Sequence, residues 1–211
     1  MRCRAPFLFC LLALGAATLR AGETPPPAAQ PAAPSAAAPV PPPAVPAPAA
    51  ADLPGLRVGD KAVDFTLKNA AGEEIALQAL LKKGKVALLF YRSGDWCPIC
   101  IAQLQGLQQS LRDIDATGVQ LVGVSYDSPE VLTQVATRYS LTFPLLSDAG
   151  SKTIDAYGIR NHEATGRAIG VPHPVIFILD QTGIIRAKLM RSNVRERPTP
   201  AEIITAVTNI K

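Results

Sequence analysis

The sequence predicts an α/β domain with a central mixed sheet and helices on both faces, preceded by a long unstructured N-terminal zone. Three observations carry this. Apolar runs of strand length alternate with helical periodicities from about residue 57 onward. Two of those runs, "VALLFYR" (86–92) and "VQLVGVSY" (119–126), are apolar throughout, as expected of strands buried on both faces. The last two, "VIFILD" and "IIRAKLM", flank "DQTG" and read as a hairpin, which makes the sheet mixed.

Taken in order, "MRCR" is a basic start, and "APFLFCLLALGAATL" is an apolar core shorter than the roughly 20 residues of a membrane-crossing helix. Residues 1–21 are expected to form a secretory signal peptide cleaved after Ala21 or Ala17, or else an uncleaved N-terminal anchor. Cys10 follows "FLF", without the small residue that precedes a lipoprotein cysteine. Residues 22–54 are dominated by Pro and Ala and carry almost no charge and no aromatic side chain. That composition cannot offset its ordering entropy and reads as an extended disordered linker.

The domain is expected over 55–211. "VDFTL" (63–67) is its first strand and "VALLFYR" its central one. "PICIAQLQGLQQSLRDI" then places Ile101, Leu104, Leu107, Leu111 and Ile114 on one helix stripe. "SPEVLTQVATRYS" opens with Ser128 as N-cap and Pro129 at the first helical position. "TFPLLSD" is a short strand, and "KTIDAYG" a short helix closed by Gly158. "TPAEIITAVTNI" opens with a capping box of Thr199 and Glu202 around Pro200.

Charge excludes one class of partner. The chain has 21 Lys and Arg against 17 Asp and Glu, but Arg2, Arg4 and Arg20 leave with the signal, so the rest is nearly neutral. No basic stripe remains for nucleic acid. Membrane contact is expected only through an uncleaved N-terminus. Loss of Cys3 and Cys10 leaves Cys97 and Cys100, and an exported, periplasmic or envelope setting permits a disulfide between them.

"GDWCPIC" (94–100) follows the central strand and begins the next helix. If Cys97 is the N-cap, Pro98 takes the first helical position and Cys100 the third. Unsatisfied N–H groups and the positive dipole end then favour a Cys97 thiolate, the reactive form. Cys100, one turn in and more buried, stays a thiol until it resolves the mixed disulfide. A purely structural disulfide closing so small a loop adds little restriction. A closed zinc site needs two more ligands, and only His162 and His173 exist.

"VGDKAVDFTLKNAAGEEIALQALLKKGKVALLFYR" and "VQLVGVSYDSPEVLTQVATRYSLTFPLLSDAGSKTIDAYGI" resemble the alkyl hydroperoxide reductase/thiol-specific antioxidant family, the peroxiredoxins and peroxiredoxin-like redoxins of the thioredoxin-fold superfamily. The resemblance covers about residues 57–190 and implies a thioredoxin-like fold. The peroxiredoxin signature Pro-x3-Thr-x2-Cys fails in both registers: Phe90 and Gly94 precede Cys97, while Ser93 and Cys97 precede Cys100. Where the family places its peroxide-orienting Arg stand Ser151 and Lys152. "DWCPIC" instead is similar to the WCxxC of thioredoxins and of exported thioredoxin-like proteins.

The resemblance also implies a cis-proline opposite the dithiol. By distance to Asp180, Pro174 is the better match and Pro172 the runner-up; the preceding His173 would then face the cysteines. Trp96 is expected to cover the sulfurs, with His173 and Pro174 on the substrate side. Arg92 and Asp95 flank the site, and His162 reads as surface.

The leading expectation is an exported thiol–disulfide oxidoreductase with a Cys97–Cys100 redox disulfide and no bound cofactor, exchanging disulfides with protein partners and drawing electrons from another dithiol protein. The alternative is a thiol peroxidase with antioxidant activity, in which Cys97 attacks hydroperoxide and Cys100 resolves the sulfenic acid. The third is a copper(I) delivery module using Cys97, Cys100 and His173.

Overall fold

The computed structural model describes residues 53–210. The predicted signal peptide and nearly all of the predicted linker lie outside them. Leu53 and Pro54, placed in the linker by sequence, are held on the domain, since Lys188 Nζ donates to the carbonyl oxygens of Leu53 (3.2 Å) and Pro54 (2.7 Å).

The sheet is built around β3 (Lys85–Phe90). It runs parallel to β4 (Val119–Ser125) and antiparallel to β6 (Val175–Leu179), and the seven-stranded order is β2-β1-β5-β4-β3-β6-β7. β5 (Leu145–Ser147) pairs parallel with β4. β1 (Thr66–Asn69), β2 (Glu74–Ala76) and β7 (Ile185–Met190) make the antiparallel edges. This is the predicted mixed sheet.

Because strand side chains alternate faces, β3 feeds two cores. Val86, Leu88 and Phe90 join one face, under α1 (Leu77–Leu81) and α5 (Lys152–Ala156), where Phe90, Tyr157 and Phe177 pack ring against ring. Ala87, Leu89 and Tyr91 join the other. Over that second face lie α2 (Pro98–Gln109), α3 (Leu111–Asp115), α4 (Pro129–Tyr139) and α6 (Pro200–Thr208), and both cysteines belong to it.

Two expectations are corrected. The stripe from Ile101 to Ile114 is not one helix, because Ser110 leaves the helical region (φ −99°, ψ 9°) and separates α2 from α3; Ile114 stays buried while Ile101 and Leu111 are only partly covered. The first strand begins at Thr66 rather than Val63, since the preceding segment pairs instead with the β6–β7 turn through Ala62 N–H and Gly183 O (2.8 Å). Strand β2 and helix α1, in "EIALQALL", escaped the reading because the strand is too short to show alternation. Where caps were read, they hold: Ser128 Oγ accepts from Val131 N–H, and Thr199 and Glu202 form the reciprocal capping box.

Candidate active site

After Phe90 the chain leaves β3 and turns into α2, and a buried carboxylate at the end of β4 shapes that turn. Asp127 accepts from Ser93 Oγ (2.8 Å), Gly94 N–H (2.9 Å) and Ser125 Oγ (3.0 Å). Ser93 Oγ in turn accepts from Asp95 N–H (3.1 Å). Burial pushes the Asp127 carboxyl up, against the lowering effect of its donors at Gly94, Ser93 and Ser125. Gly94 lies against α4 so closely that a Cβ there would stand 2.7 Å from Val135 Cγ1.

The turn delivers Cys97 as the N-cap of α2 (φ −99°, ψ 98°), with Pro98 at the first helical position, as the spacing predicts. Its Sγ accepts from Cys100 N–H at 3.3 Å. Cys97 and Cys100 are joined as a disulfide with a Cα–Cα distance of 5.2 Å, inside the usual bridging range. The sequence expects Cys100 to be the more buried of the two, and both residues are enclosed, Cys97 at 2% and Cys100 at 0% exposure.

Trp96 packs against the core that holds both cysteines. Its Nε1 donates to Tyr126 Oη (2.9 Å), which donates on to Arg167 O (2.5 Å). The guanidinium carbons of Arg92 and Arg167 each lie 5.0 Å from the Trp96 ring centroid, a cation–π distance. A third cation comes from far along the chain: Arg197 Nη2 reaches Cys100 Sγ at 3.7 Å. Among the described residues none of these three arginines has a carboxylate partner. The Nε atoms of Arg92 and Arg197 are buried without an acceptor.

The remaining predicted residues separate. Val175 and Phe177 belong to the Phe90 face and Ile176 and Ile178 to the cysteine face, so alternation puts buried Pro174 on the cysteine side. It puts His173 on the opposite side. There His173 lines a cavity with Asp155, Arg160, His162 and Glu163, which contains neither cysteine, and its backbone N–H donates to Ile159 O (2.7 Å). Burial pushes the imidazole below its usual value, with Glu163 and His162 as its charged neighbours. Pro172 is bridged to Arg160. His162, read as surface, is exposed. Among the described residues no group of three or more His, Cys, Asp or Glu is placed to hold a metal ion, so the three copper(I) ligands considered above do not converge.

Sequence reasoning missed Asp127, which lies between the strand "VQLVGVSY" and the helix start at Ser128; its place just past the end of β4, beside the end of β3, was the available signal. Arg197 sits in "RERP", 97 residues from Cys100, with no local pattern pointing to the dithiol.

A mixed sheet of this order, with a disulfide pair where its central strand gives way to a helix, defines a thioredoxin-fold redoxin. The chain belongs to the AhpC/TSA family, which it matches over residues 58–188. It is 38% identical over 105 residues to the thiol–disulfide oxidoreductase ResA of Halalkalibacterium halodurans, covering 49% of this chain and 58% of that protein. It is 29% identical to peroxiredoxin Bcp of Escherichia coli K12, and 30% identical to a putative peroxiredoxin bcp of Haemophilus influenzae. Each match covers 62% of this chain and 83% of the relative. Among solved structures, peroxidoxin BcpB of Mycobacterium tuberculosis superposes with a TM-score of 0.65 at 20% identity, over 74% of this chain and 99% of that one. A peroxiredoxin-like protein from Aquifex aeolicus gives 0.64 at 20% identity, over 74% and 88%. The family and these relatives place the chain among oxidoreductases acting on thiols.

Proposed function

We propose that the protein is an exported thiol–disulfide oxidoreductase whose redox centre is Cys97 and Cys100. Residues 1–21 direct export or anchor the chain, and 22–54 space the domain from the envelope. The observation that carries the chemistry is Cys97 at the N-cap of α2, its sulfur accepting the Cys100 N–H and bonded to Cys100. Once reduced, that sulfur faces the unsatisfied N–H groups of the helix start, which stabilise a thiolate. The Cys97 thiolate attacks a partner disulfide and expels one partner thiolate. Cys100 then attacks Cys97 Sγ, releases the second and restores the bridge. A dithiol protein returns the two electrons. Trp96 and Pro174 form the partner-facing wall, and since both cysteines are enclosed, Trp96 moves for exchange to occur. His173 has no part in this wall.

The peroxiredoxin relatives favour a second reading, peroxide reduction at Cys97. Against it, the position of the family's peroxide-binding Thr is Gly94, whose missing side chain has Val135 in its place. Insulin reduction and a redox titration of the full chain, beside stopped-flow with hydrogen peroxide, decide between them. Disulfide turnover that survives Cys97→Ser would end the first reading. Peroxide consumption far above free-thiol rates would establish the second.

A further inference from the structure

Arg197 is a half-buried cation held against one sulfur, with no carboxylate partner among the described residues. The loop between β7 and α6 supplies it and fixes it, since its Nη1 donates to Val194 O (2.5 Å) and Glu196 O (2.8 Å), leaving Nη2 against Cys100 Sγ at 3.7 Å. Asp127 is committed to Ser93, Gly94 and Ser125, the adjacent Glu196 side chain accepts from Asn193, and neither Asp95 nor Glu196 makes an ion pair among the described residues. Arg92 adds a like charge. Burial first, and Arg92 second, bring the Arg197 pKa down to about 10, so it remains charged at neutral pH. A buried unpaired charge is costly, and here the atom at its tip is one that becomes an anion whenever the disulfide opens.

We propose that Arg197 is a catalytic residue that holds Cys100 Sγ as a thiolate. This rests on the dithiol reading above and replaces the expectation that Cys100 waits as a neutral thiol. When a donor thiolate attacks Cys97 Sγ, the Cys97–Cys100 bond breaks and its electron pair goes to Cys100 Sγ, where the guanidinium stabilises the leaving group. The donor's second thiolate then attacks the donor sulfur bound to Cys97, closing the donor disulfide and releasing Cys97 as thiolate. In the opposite half-reaction, Cys100 is already deprotonated when it attacks Cys97 Sγ to expel the substrate thiolate.

The reduced full-length protein and 5,5′-dithiobis(2-nitrobenzoate) separate the two sulfurs. Cys97 attacks and releases one thionitrobenzoate in a second-order phase; Cys100 displaces the other in a first-order phase. A cation beside a thiol lowers its pKa by about 1–2 units, while nucleophilicity falls with pKa at a slope near 0.5. Arg197→Gln is therefore expected to slow the second phase about three- to tenfold at pH 7 and raise its pH midpoint by about 1–2 units, with the first phase little changed. Arg197→Leu, which fills the position without charge, gives the same result and serves if the Gln variant does not fold. Arg197→Lys recovers much of the rate. A second phase unchanged in rate and midpoint in either neutral variant overturns the proposal while leaving the dithiol reading intact. Failure of the reduced wild type to release any thionitrobenzoate overturns both.

Discussion

Gly94→Ala is expected to destabilise the domain, and Val135 decides by how much. The added Cβ would lie 2.7 Å from Val135 Cγ1 and 3.0 Å from Cγ2. Comfortable carbon contacts sit at about 3.5–4.0 Å. Val135 cannot swing aside, being buried on α4 and β-branched, with one strongly preferred helical rotamer. Either α4 or the turn must move, and a moving turn strains the bond from Gly94 N–H to Asp127. Overpacking of this kind costs about 1–3 kcal/mol. Gly→Ala recovers about 0.4–1 kcal/mol through the unfolded chain. The net loss is then about 1–2 kcal/mol, which lowers Tm by about 2–8 °C for a domain of this size. The assay is a urea-unfolding cycle of wild type, Gly94→Ala, Val135→Ala and the double variant. Val135→Ala is destabilising alone, but in its background Gly94→Ala is expected to be neutral or stabilising. If Gly94→Ala costs the same in both backgrounds, the contact with Val135 is not what keeps glycine there.

Asp127→Ala leaves three donors without their acceptor and is expected to cost about 3 kcal/mol or more, whereas Asp127→Asn, whose oxygen still serves Gly94 N–H, costs about 1 kcal/mol; urea midpoints measure both. Because burial raises the Asp127 pKa in the fold, its contribution is full below the unfolded value of 3.8 and is lost as pH rises through the folded value, a trend absent from Asp127→Asn. Glu202 behaves in the opposite sense. The Thr199 N–H, then Arg191, hold its carboxyl below 4.5, so its contribution is present above that pH and lost as pH falls through the folded value. Thr199→Ala should remove about 1 kcal/mol at pH 7 yet keep most of that acid limb in pH-resolved thermal melts, because the residue-199 N–H and Arg191 remain. Trp96→Ala loses two cation–π contacts and a hydrogen bond, about 2–3 kcal/mol in all, yet should speed reduction of the disulfide by dithiothreitol; an unchanged rate would show that Trp96 is not the cover.

What was legible in the sequence was whatever the chain writes locally. The double-sided burial of β3 and β4 is written as continuous apolar runs, and the caps at Ser128 and Thr199 as short polar–Pro signatures. The cysteine pair is legible for the same reason, because the N-cap Cys97 and Pro98 are adjacent and follow the end of β3 by a short turn. What could not be read is long-range. Asp127 meets Ser93 only because β4 lies beside β3, and Arg197 meets Cys100 only because the hairpin and the α6 cap return the chain over α2. His173 went astray by one residue of strand register, since an alternating strand sends Pro174 and His173 to opposite faces whatever their order in the chain suggests.

These long-range residues also bear on the proposal that a peroxiredoxin-like body works by disulfide exchange. Where the family's signature has a Thr to hold peroxide, a glycine lets α4 close over the turn, and the space for an oxygen ligand is taken by Val135. The positive charge beside the sulfurs is kept but comes from elsewhere: Arg92 from the end of β3, Arg167 over Trp96, and Arg197 onto Cys100. A cation directed at Cys97 would favour attack on a small oxidant. A cation directed at Cys100, as proposed for Arg197, acts instead on the departure and return of the second sulfur, a step that a peroxidase working through a single cysteine lacks.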